Sequence, residues 1–381
     1  EEIVNAARAA GVTDEEIVDA DLDPDIGENE EAGANENENE NENEDDASIL
    51  TSLVTLEKIL DESRGNGQIQ PLSPTLGDHS DSTIPWNVIF SGPPGTGKTH
   101  TAKELLKNVQ IAEQYVEVCF HPATSYEDFV RSLKMGKKGI FNAEYKVFGK
   151  ICDEALEKPD KLFAILIDEI NRANIPAVFG ELMNALEYRG DSVTVPYEVE
   201  YLPSPPKRKP QHLVIPKNLL VIGTMNTADR SVGQMDYAIR RRFHFFALLP
   251  DPEKLECNTD EDSNNPKNTF FNVLRLFVDS PSEKSIDWSK PAGTLSPDFH
   301  PSDVAIGHTY FLGSDWETKF QYQVLPILVE YLKDGVLLRD VNINGSSSQC
   351  KGIESVFFQC RSGQPSEAVK KFNELFTEQN V

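Results

Sequence analysis

The chain has 381 residues, a length that predicts two or three domains with room for a full hydrophobic core. Its formal net charge of −27 is uneven, because residues 1–46 hold 19 of the 63 acidic residues and one of the 36 basic ones. An acidic chain binds DNA weakly without specific contacts, and no apolar run approaches the ~20 residues of a membrane helix. Five widely spaced cysteines without a C-x-x-C pair indicate a reducing, cytoplasmic compartment and predict no cysteine metal site.

The N-terminal part of the chain is predicted to lie outside the folded core. Residues 1–47 form an acidic tail with Asn-Glu alternation, a composition that cannot bury apolar surface and is typical of a disordered linker. Residues 48–84 are predicted to contain one helix, at 48–62, and a connecting loop rich in Gly, Pro and Ser. The chain starts at Glu1 and not at Met, so we expect it to be a fragment that lacks an N-terminal region.

From Pro85 onward, strand-like and helix-like runs alternate, which predicts an α/β fold with a parallel sheet covered by helices on both faces. The predicted core spans residues 85–250 and carries a β-hairpin insertion at about 191–216. A small helical lid is predicted at 251–340, followed by a C-terminal extension at 341–381. The predicted core strands lie at residues 87–91, 115–120, 163–167, 219–224 and 243–248.

Residues 92–99 read Gly-Pro-Pro-Gly-Thr-Gly-Lys-Thr and match the pattern G-x-x-x-x-G-K-[ST] between an apolar strand and a helix. The glycines let successive backbone N–H groups point inward, and the helix N-terminus adds partial positive charge, so the loop is predicted to hold nucleotide phosphates. Lys98 is placed to reach the β- and γ-phosphates, and the Thr99 hydroxyl to hold Mg²⁺. The predicted nucleotide-binding residues of this P-loop are Gly92, Pro93, Pro94, Gly95, Thr96, Gly97, Lys98, Thr99 and His100.

A second polar cluster follows the apolar run at residues 162–167, which ends in Asp168 and Glu169. Because ligands of such sheets bind beyond the carboxyl ends of the strands, Asp168 is predicted to lie beside the P-loop and hold Mg²⁺. Glu169 is then placed to orient or deprotonate the water that attacks the γ-phosphate. Asn226, at the end of another apolar run, is suited to hydrogen-bond the γ-phosphate or this water. A turn residue or a helix cap is the alternative for Asn226.

Three consecutive arginines follow Asp236 and cannot all face one carboxylate. Arg240 is placed to pair with Asp236 at i,i+4, which leaves Arg241 and Arg242 as candidates for an arginine finger. Such a finger stabilises charge on the transferring phosphoryl group, and a finger that acts on a neighbouring subunit requires an oligomer. A solvated or acid-binding surface is the alternative for these arginines. A solvated loop is favoured for the other basic patch, at residues 207–209.

Taken together, the motifs closely resemble the AAA+ motors of the McrB family, the nucleotide-hydrolysing subunits of modification-dependent restriction systems. The most specific match is the run Met-Asn-Thr-Ala-Asp-Arg-Ser, and the likeness covers roughly residues 85–335. The matching motifs lie at residues 92–99, 167–174, 225–231 and 236–243, with a lid motif at 306–311.

This resemblance implies an AAA+ P-loop NTPase core with strand order 5-1-4-3-2 and a helical lid. It also implies that the active form is a ring, a hexamer, with nucleotide at the subunit interfaces. A McrC-like partner would thread the ring, stimulate hydrolysis and carry or recruit the nuclease. DNA would then be reached through that partner or through a domain N-terminal to the motor, which is not recognisable in this chain. McrB relatives resemble GTPases in their preferred nucleotide, whereas other members of the dynein-related group use ATP. The sequence therefore does not decide whether this chain uses GTP or ATP.

The resemblance also assigns roles to individual residues. Asn226 would be the sensor on the fourth strand, and Asn171 would assist Glu169 with the attacking water. The residues that would act on the nucleotide of a neighbouring subunit are Asp236, Arg241 and Arg242. A lid sensor arginine is typical of AAA+ proteins, but no arginine lies between Asp298 and Tyr331, so His308 is expected to contribute in its place.

Two further functions stay open from the sequence. One is a related AAA+ ATPase, dynein-related or MoxR-like, that remodels a protein partner without a nuclease. The other is a nucleotide-gated scaffold that binds nucleotide but hardly hydrolyses it. The residues that argue against the scaffold are Lys98, Asp168, Glu169, Asn226 and Arg242.

Overall fold

A computed structural model of the chain describes residues 86–108, 115–135, 141–159, 161–195, 212–229, 235–255, 264–283, 285–343 and 350–377. The predicted tail, the predicted helix at residues 48–62, the loop after it and the basic patch at residues 207–209 lie outside these described residues. Within the described ranges, no helix has the length and apolar character needed to cross a membrane.

The strands of the described residues form one large sheet and two short hairpins. They are β1 (Asn87–Gly92), β2 (Tyr115–Cys119), β3 (Arg131–Met135), β4 (Phe141–Tyr145), β5 (Phe163–Asp168), β6 (Ser192–Thr194), β7 (His212–Val214), β8 (Leu219–Asn226) and β9 (His244–Ala247). The large sheet is parallel, with the order β2-β5-β8-β1-β9. All five of its strands agree with the predicted core strands to within two residues at either end, so the predicted fold class is confirmed. Numbered along the chain, these strands have the implied order 5-1-4-3-2.

Helices cover the sheet on both faces and make up most of the C-terminal part. They are α1 (Lys98–Asn108), α2 (Tyr126–Phe129), α3 (Val147–Glu157), α4 (Ile175–Phe179), α5 (Leu182–Glu187), α6 (Tyr237–Arg240), α7 (Pro266–Leu274), α8 (Pro301–Val304), α9 (Trp316–Lys319), α10 (Leu325–Lys333), α11 (Gly352–Cys360) and α12 (Pro365–Glu374). Local sequence explains several of the helix starts. Asn265, for example, caps α7 by accepting from the Asn268 N–H at 2.7 Å, and Pro266 occupies the first turn, where its missing N–H costs nothing.

The alternation of side chains along the strands divides the core into two hydrophobic clusters. On β1, Val88 and Phe90 pack beneath α1, whereas Ile89 faces the opposite side of the sheet. On β8, Leu220 and Ile222 point to the α1 side in the same way. Burial on both faces accounts for the continuous apolar runs that predicted these strands. The central strands are therefore buried on both faces, and because they run parallel, their carboxyl ends lie at the same edge of the sheet.

The two hairpins lie beside this core. β3 and β4 pair antiparallel after α2, and β6 and β7 pair antiparallel within the predicted insertion, with residues 196–211 between them outside the described part. The helices after residue 264 share one hydrophobic cluster, which includes members from both the predicted lid and the predicted C-terminal extension. In that cluster, the Phe372 ring of α12 lies 5.0 Å from the Phe320 ring, and Asn272 donates to the Asn373 side chain at 2.9 Å. The described residues therefore place α11 and α12 within the same hydrophobic cluster as the lid helices.

Candidate active site

The P-loop joins β1 to α1 and depends on glycine for its shape. Gly95 and Gly97 have φ angles of +77° and +81°, which side chains with a Cβ rarely adopt. Gly92 is required for space, because a Cβ atom there would lie 2.2 Å from the Leu248 carbonyl oxygen. The Thr96 hydroxyl donates to the Pro93 carbonyl at 3.0 Å and closes the turn. The loop thus curls over the N-terminus of α1, as a phosphate-binding loop does.

Lys98 is half-buried at the start of α1 and lies near the carboxylates of Asp168 and Glu169. Its ammonium group donates to the Pro93 carbonyl at 2.8 Å. Burial lowers the pKa of Lys98 to about 8, and the negative charges of Glu169 and Asp168 partly oppose this fall. The positive charge of Lys98 is therefore poorly solvated, which favours its pairing with an anion that enters the loop.

Thr99 and Asp168 meet at the mouth of the P-loop. The Thr99 hydroxyl donates to Asp168 Oδ1 at 2.9 Å, although the two residues belong to different elements, α1 and β5. Hydroxyl and carboxylate oxygens are the donors that a hard cation such as Mg²⁺ prefers, so this pair fits the predicted metal role.

Thr224 belongs to the same cluster, although the sequence assigned it no role. From the neighbouring strand β8, its hydroxyl hydrogen-bonds Asp168 Oδ1 and accepts from the Glu169 N–H at 3.2 Å. Thr224 is 2% exposed, so its hydroxyl depends on these protein partners. Its one sequence signal is a polar residue inside an otherwise apolar strand. Thr224 thereby fixes both carboxylate-bearing residues at the end of β5.

Glu169 occupies an uncommon backbone conformation. Its φ and ψ angles of 53° and 44° are left-handed, a region that costs a non-glycine residue energy and that often marks functional sites. Its carboxylate lies 3.4 Å from Arg172 Nε, and Arg172 Nη2 lies 3.2 Å from Asp229 Oδ2. The sequence assigned no role to Arg172 or to Asp229. Arg172 therefore bridges the Glu169 carboxylate and Asp229, which lies in the loop that follows β8.

Asn171 and Asn226 also come together at this edge of the sheet. Asn171 Nδ2 donates to the Asn226 carbonyl at 3.2 Å, and Asn171 Oδ1 is buried without a hydrogen-bond partner among the described residues. Asn226 Oδ1 accepts from the Ala228 N–H at 3.2 Å, so its side chain also stabilises a turn. A turn residue was the alternative that the sequence offered for Asn226. The Asn226 amide nitrogen is the group that could donate to a phosphate or to water.

The three arginines after Asp236 have different environments. The side chain of Arg242 is 8% exposed, pairs with Glu187 at 2.9 Å and donates to the Ala238 carbonyl at 2.8 Å. Arg241, at the end of α6, is exposed. Packing alone therefore separates these two candidates.

The expected pair between Arg240 and Asp236 is replaced by other contacts. The Asp236 carboxylate caps α6 by accepting from the Ala238 N–H at 3.0 Å, which directs it toward the helix start. The Arg240 guanidinium lies 5.8 Å from the centre of the Phe245 ring, a cation–π contact.

The two predicted histidines lie in contrasting surroundings. His100 is exposed on α1, where its Nδ1 is 3.5 Å from Glu104 Oε2. His308 is buried in the lid, and its Nδ1 accepts from the Asp251 N–H at 3.1 Å. Burial lowers the pKa of His308 to about 4, with Asp251 opposing the fall, so the ring is neutral at physiological pH. His308 thus joins the lid to the segment that leads into it from the core.

Among the described residues, a P-loop joins the first strand to the first helix, and two carboxylates lie at the end of β5, which β8 separates from β1 in a sheet of order 5-1-4-3-2. This is the architecture of an AAA+ P-loop NTPase core. Residues 87–243 match the family model described as the AAA domain of the dynein-related subfamily. The matched range includes the P-loop and the strands β5 and β8 with the polar residues at their ends.

Two restriction proteins are similar to the chain, which confirms the resemblance to McrB. The type IV methyl-directed restriction enzyme EcoKMcrB subunit of Escherichia coli strain K12 is 35% identical over 267 residues, covering 66% of this chain and 55% of that protein. The type II restriction enzyme BsuMI component YdiS of Bacillus subtilis strain 168 is 29% identical over 196 residues, covering 43% of this chain and 57% of that protein. The chain thus spans little more than half the length of these relatives.

Proposed function

We propose that the chain is the motor subunit of a McrBC-like restriction complex, and that it hydrolyses GTP or ATP to the diphosphate and phosphate. The observation that carries the proposal is the contact between Thr99 and Asp168, with Glu169 next to it, at the mouth of a P-loop. The similarity to restriction proteins supports the biological setting.

In the proposed mechanism, each residue has one task. The P-loop N–H groups and Lys98 bind the phosphates, while Thr99 and Asp168 are the residues that would hold Mg²⁺. Mg²⁺, when bound, would neutralise part of the negative charge of the phosphates. Glu169 accepts a proton from the attacking water, and the products are the nucleoside diphosphate and inorganic phosphate.

Two asparagines support the proposed hydrolysis step. The buried Asn171 Oδ1 is a hydrogen-bond acceptor for the water that Glu169 activates, so two oxygens orient one nucleophile. Asn226 Nδ2 donates to the γ-phosphate, as expected of a sensor at the end of β8. The 3.2 Å hydrogen bond between these residues links the water site to the phosphate site.

We propose further that the active form is a homo-oligomeric ring, a hexamer, in which Arg241 acts on the nucleotide of the neighbouring subunit. The exposure of Arg241 supports this role, and the salt bridge of Arg242 with Glu187 gives Arg242 a supporting part within its own subunit. Asp236, at the start of the same short helix, would help to hold α6 at the interface. A McrC-like nuclease subunit is the proposed partner, and DNA is reached through it or through a domain N-terminal to the motor.

Side-by-side GTP and ATP turnover, with and without the product of the adjacent gene, tests this function. We expect one nucleotide to be hydrolysed, the partner to raise the rate, and DNA to be cleaved only when the partner and that nucleotide are both present. Partner-stimulated hydrolysis without DNA cleavage would point to the remodelling ATPase. A background rate in a confirmed ring with its partner would favour the scaffold.

Raising the pH is expected to weaken nucleotide binding, because Lys98 must be charged to attract phosphate. Because the pKa of Lys98 is about 8, nucleotide affinity is expected to be retained below that pH. Above it, affinity is expected to fall by up to about tenfold per pH unit. Fluorescent-nucleotide titrations from about pH 7 to about pH 9.5 measure this. The matched control is Lys98→Arg, which stays charged over this range and is expected to bind more weakly but with a flat profile. Equal slopes for both proteins would contradict the prediction.

A further inference from the structure

The lid touches the P-loop directly through residues 307–310, which we name the lid clasp. The Gly307 N–H donates to the Pro94 carbonyl at 2.8 Å, and the Thr309 N–H donates to the Gly95 carbonyl at 3.0 Å. The lid clasp lies at the start of the 3₁₀ turn His308–Phe311. It belongs to the lid and follows the P-loop by more than 200 residues in the chain. Two consecutive P-loop carbonyls are therefore occupied by two lid donors.

The backbones of the lid clasp and the P-loop are in very close contact. A Cβ atom on Gly307 would lie 2.0 Å from the Gly95 carbonyl oxygen and 2.5 Å from the Thr96 nitrogen, so no side chain fits there. The Tyr310 ring covers the other side of Gly95, where an added Cβ would lie 2.4 Å from Cε2. Close approach, rather than chain flexibility, is what requires glycine at position 307.

The two hydrogen bonds determine where the N–H groups of the P-loop point. A trans peptide is planar, with its carbonyl oxygen and its N–H directed to opposite sides. Because the Pro94 and Gly95 carbonyls point to the lid, the N–H groups of Gly95 and Thr96 point away from it. Those N–H groups belong to the set that a P-loop uses to bind phosphate.

Other contacts hold the lid clasp in place. His308 accepts from the Asp251 N–H, and the Thr227 hydroxyl, after β8, donates to the Asp303 carbonyl at 2.7 Å. The buried Phe311 ring anchors the same turn in the lid core, 5.4 Å from the Phe270 ring. The lid is thus bonded to the P-loop, to the loop after β8 and to the segment that joins the domains.

We propose that Gly307 is a positioning residue for nucleotide binding, because the lid clasp fixes two P-loop peptides in the orientation that presents their N–H groups to phosphate. The proposal rests on the nucleotide-binding role proposed above. Since coupling between two events is reciprocal, phosphate in the loop also stabilises the docked lid. Nucleotide binding and lid docking are thus coupled through the backbone of the P-loop, without a lid side chain that touches phosphate.

Gly307→Ala is expected to raise the dissociation constant for fluorescent GTP or ATP by about tenfold or more, which corresponds to about 1.4 kcal/mol. Turnover at saturating nucleotide is expected to fall much less, because Asp168 and Glu169 are untouched. The matched control is Gly293→Ala, since Gly293 is exposed and an added Cβ there meets no atom within 4 Å. Equal affinities for Gly307→Ala and wild type would overturn the proposal.

Hydrogen exchange in the wild-type protein tests the reciprocal effect without any substitution in the lid. Saturating nucleotide with Mg²⁺ is expected to slow exchange of the Gly307 and Thr309 amides, and Lys98→Ala is expected to abolish this slowing. If wild type binds nucleotide but these amides do not respond, the coupling is wrong while the proposed function stands. If wild type binds neither GTP nor ATP, the proposed function fails and the coupling fails with it.

Discussion

Glu169→Gln is expected to lower nucleotide turnover by about a hundredfold or more while leaving nucleotide binding intact, because general base catalysis contributes roughly that much or more. Glutamine has nearly the same shape as glutamate but cannot accept a proton from the attacking water. The P-loop, Thr99 and Asp168 are unchanged in this variant, so the phosphates keep their partners. Phosphate release measures turnover, and fluorescent-nucleotide anisotropy measures binding.

A suitable control for this prediction is Glu154→Gln. Glu154 is exposed on α3, away from the carboxyl edge of the sheet, and the same chemical change there is expected to leave both readouts at wild-type values. Turnover that persists in Glu169→Gln would show that another group activates the water. Loss of binding in that variant would instead assign Glu169 to the phosphate site.

Arg241→Ala is expected to lower turnover by about a thousandfold in the assembled ring without destabilising the subunit, as removal of an arginine finger does. Arg241 is exposed, so its truncation is expected to cost the subunit little stability. Arg242→Ala is expected to lower the free energy of unfolding, because it removes a side chain that is 8% exposed, with its 2.8 Å hydrogen bond to the Ala238 carbonyl and its 2.9 Å pair with Glu187. Thermal unfolding and phosphate release, measured on both variants, separate the two roles.

Mixing two inactive variants tests whether Arg241 acts between subunits. A ring of Glu169→Gln and Arg241→Ala subunits contains interfaces where an intact Glu169 faces an intact Arg241, so turnover is expected to reappear on mixing. Arg240→Ala serves as the control, since the Arg240 side chain lies over Phe245 and is expected to be dispensable for catalysis. If mixing restores nothing, Arg241 acts within its own subunit or has no catalytic part.

The parallel sheet was accessible from the sequence because its strands are buried on both faces. Burial imposes continuous apolar runs, and each run ends where the strand reaches the sheet edge, so Asp168 and Asn226 could be located from one-dimensional pattern alone. The P-loop was accessible for a similar local reason, since Gly95 and Gly97 need backbone angles that only glycine adopts freely.

Contacts between distant parts of the chain were not accessible in the same way. Thr224 bonds Asp168 from 56 residues away, and its sequence signal, one hydroxyl in an apolar strand, does not name a partner. Arg241 and Arg242 are adjacent and chemically identical, so no pattern ranks them. In the folded chain, the Arg242 side chain is 8% exposed and pairs with Glu187 at the end of α5, whereas Arg241 is exposed.

The sequence by itself determined the fold class, the phosphate loop and the carboxylates at the end of β5, because each depends on residues that are neighbours in the chain. The tertiary structure alone decided that Thr224 joins Thr99 in bonding Asp168, which arginine is exposed, and that Gly307 of the lid reaches the backbone of the P-loop. These features depend on how separate elements pack. Hydrogen bonds and close approach between such elements follow from three-dimensional position, which no spacing along one chain specifies.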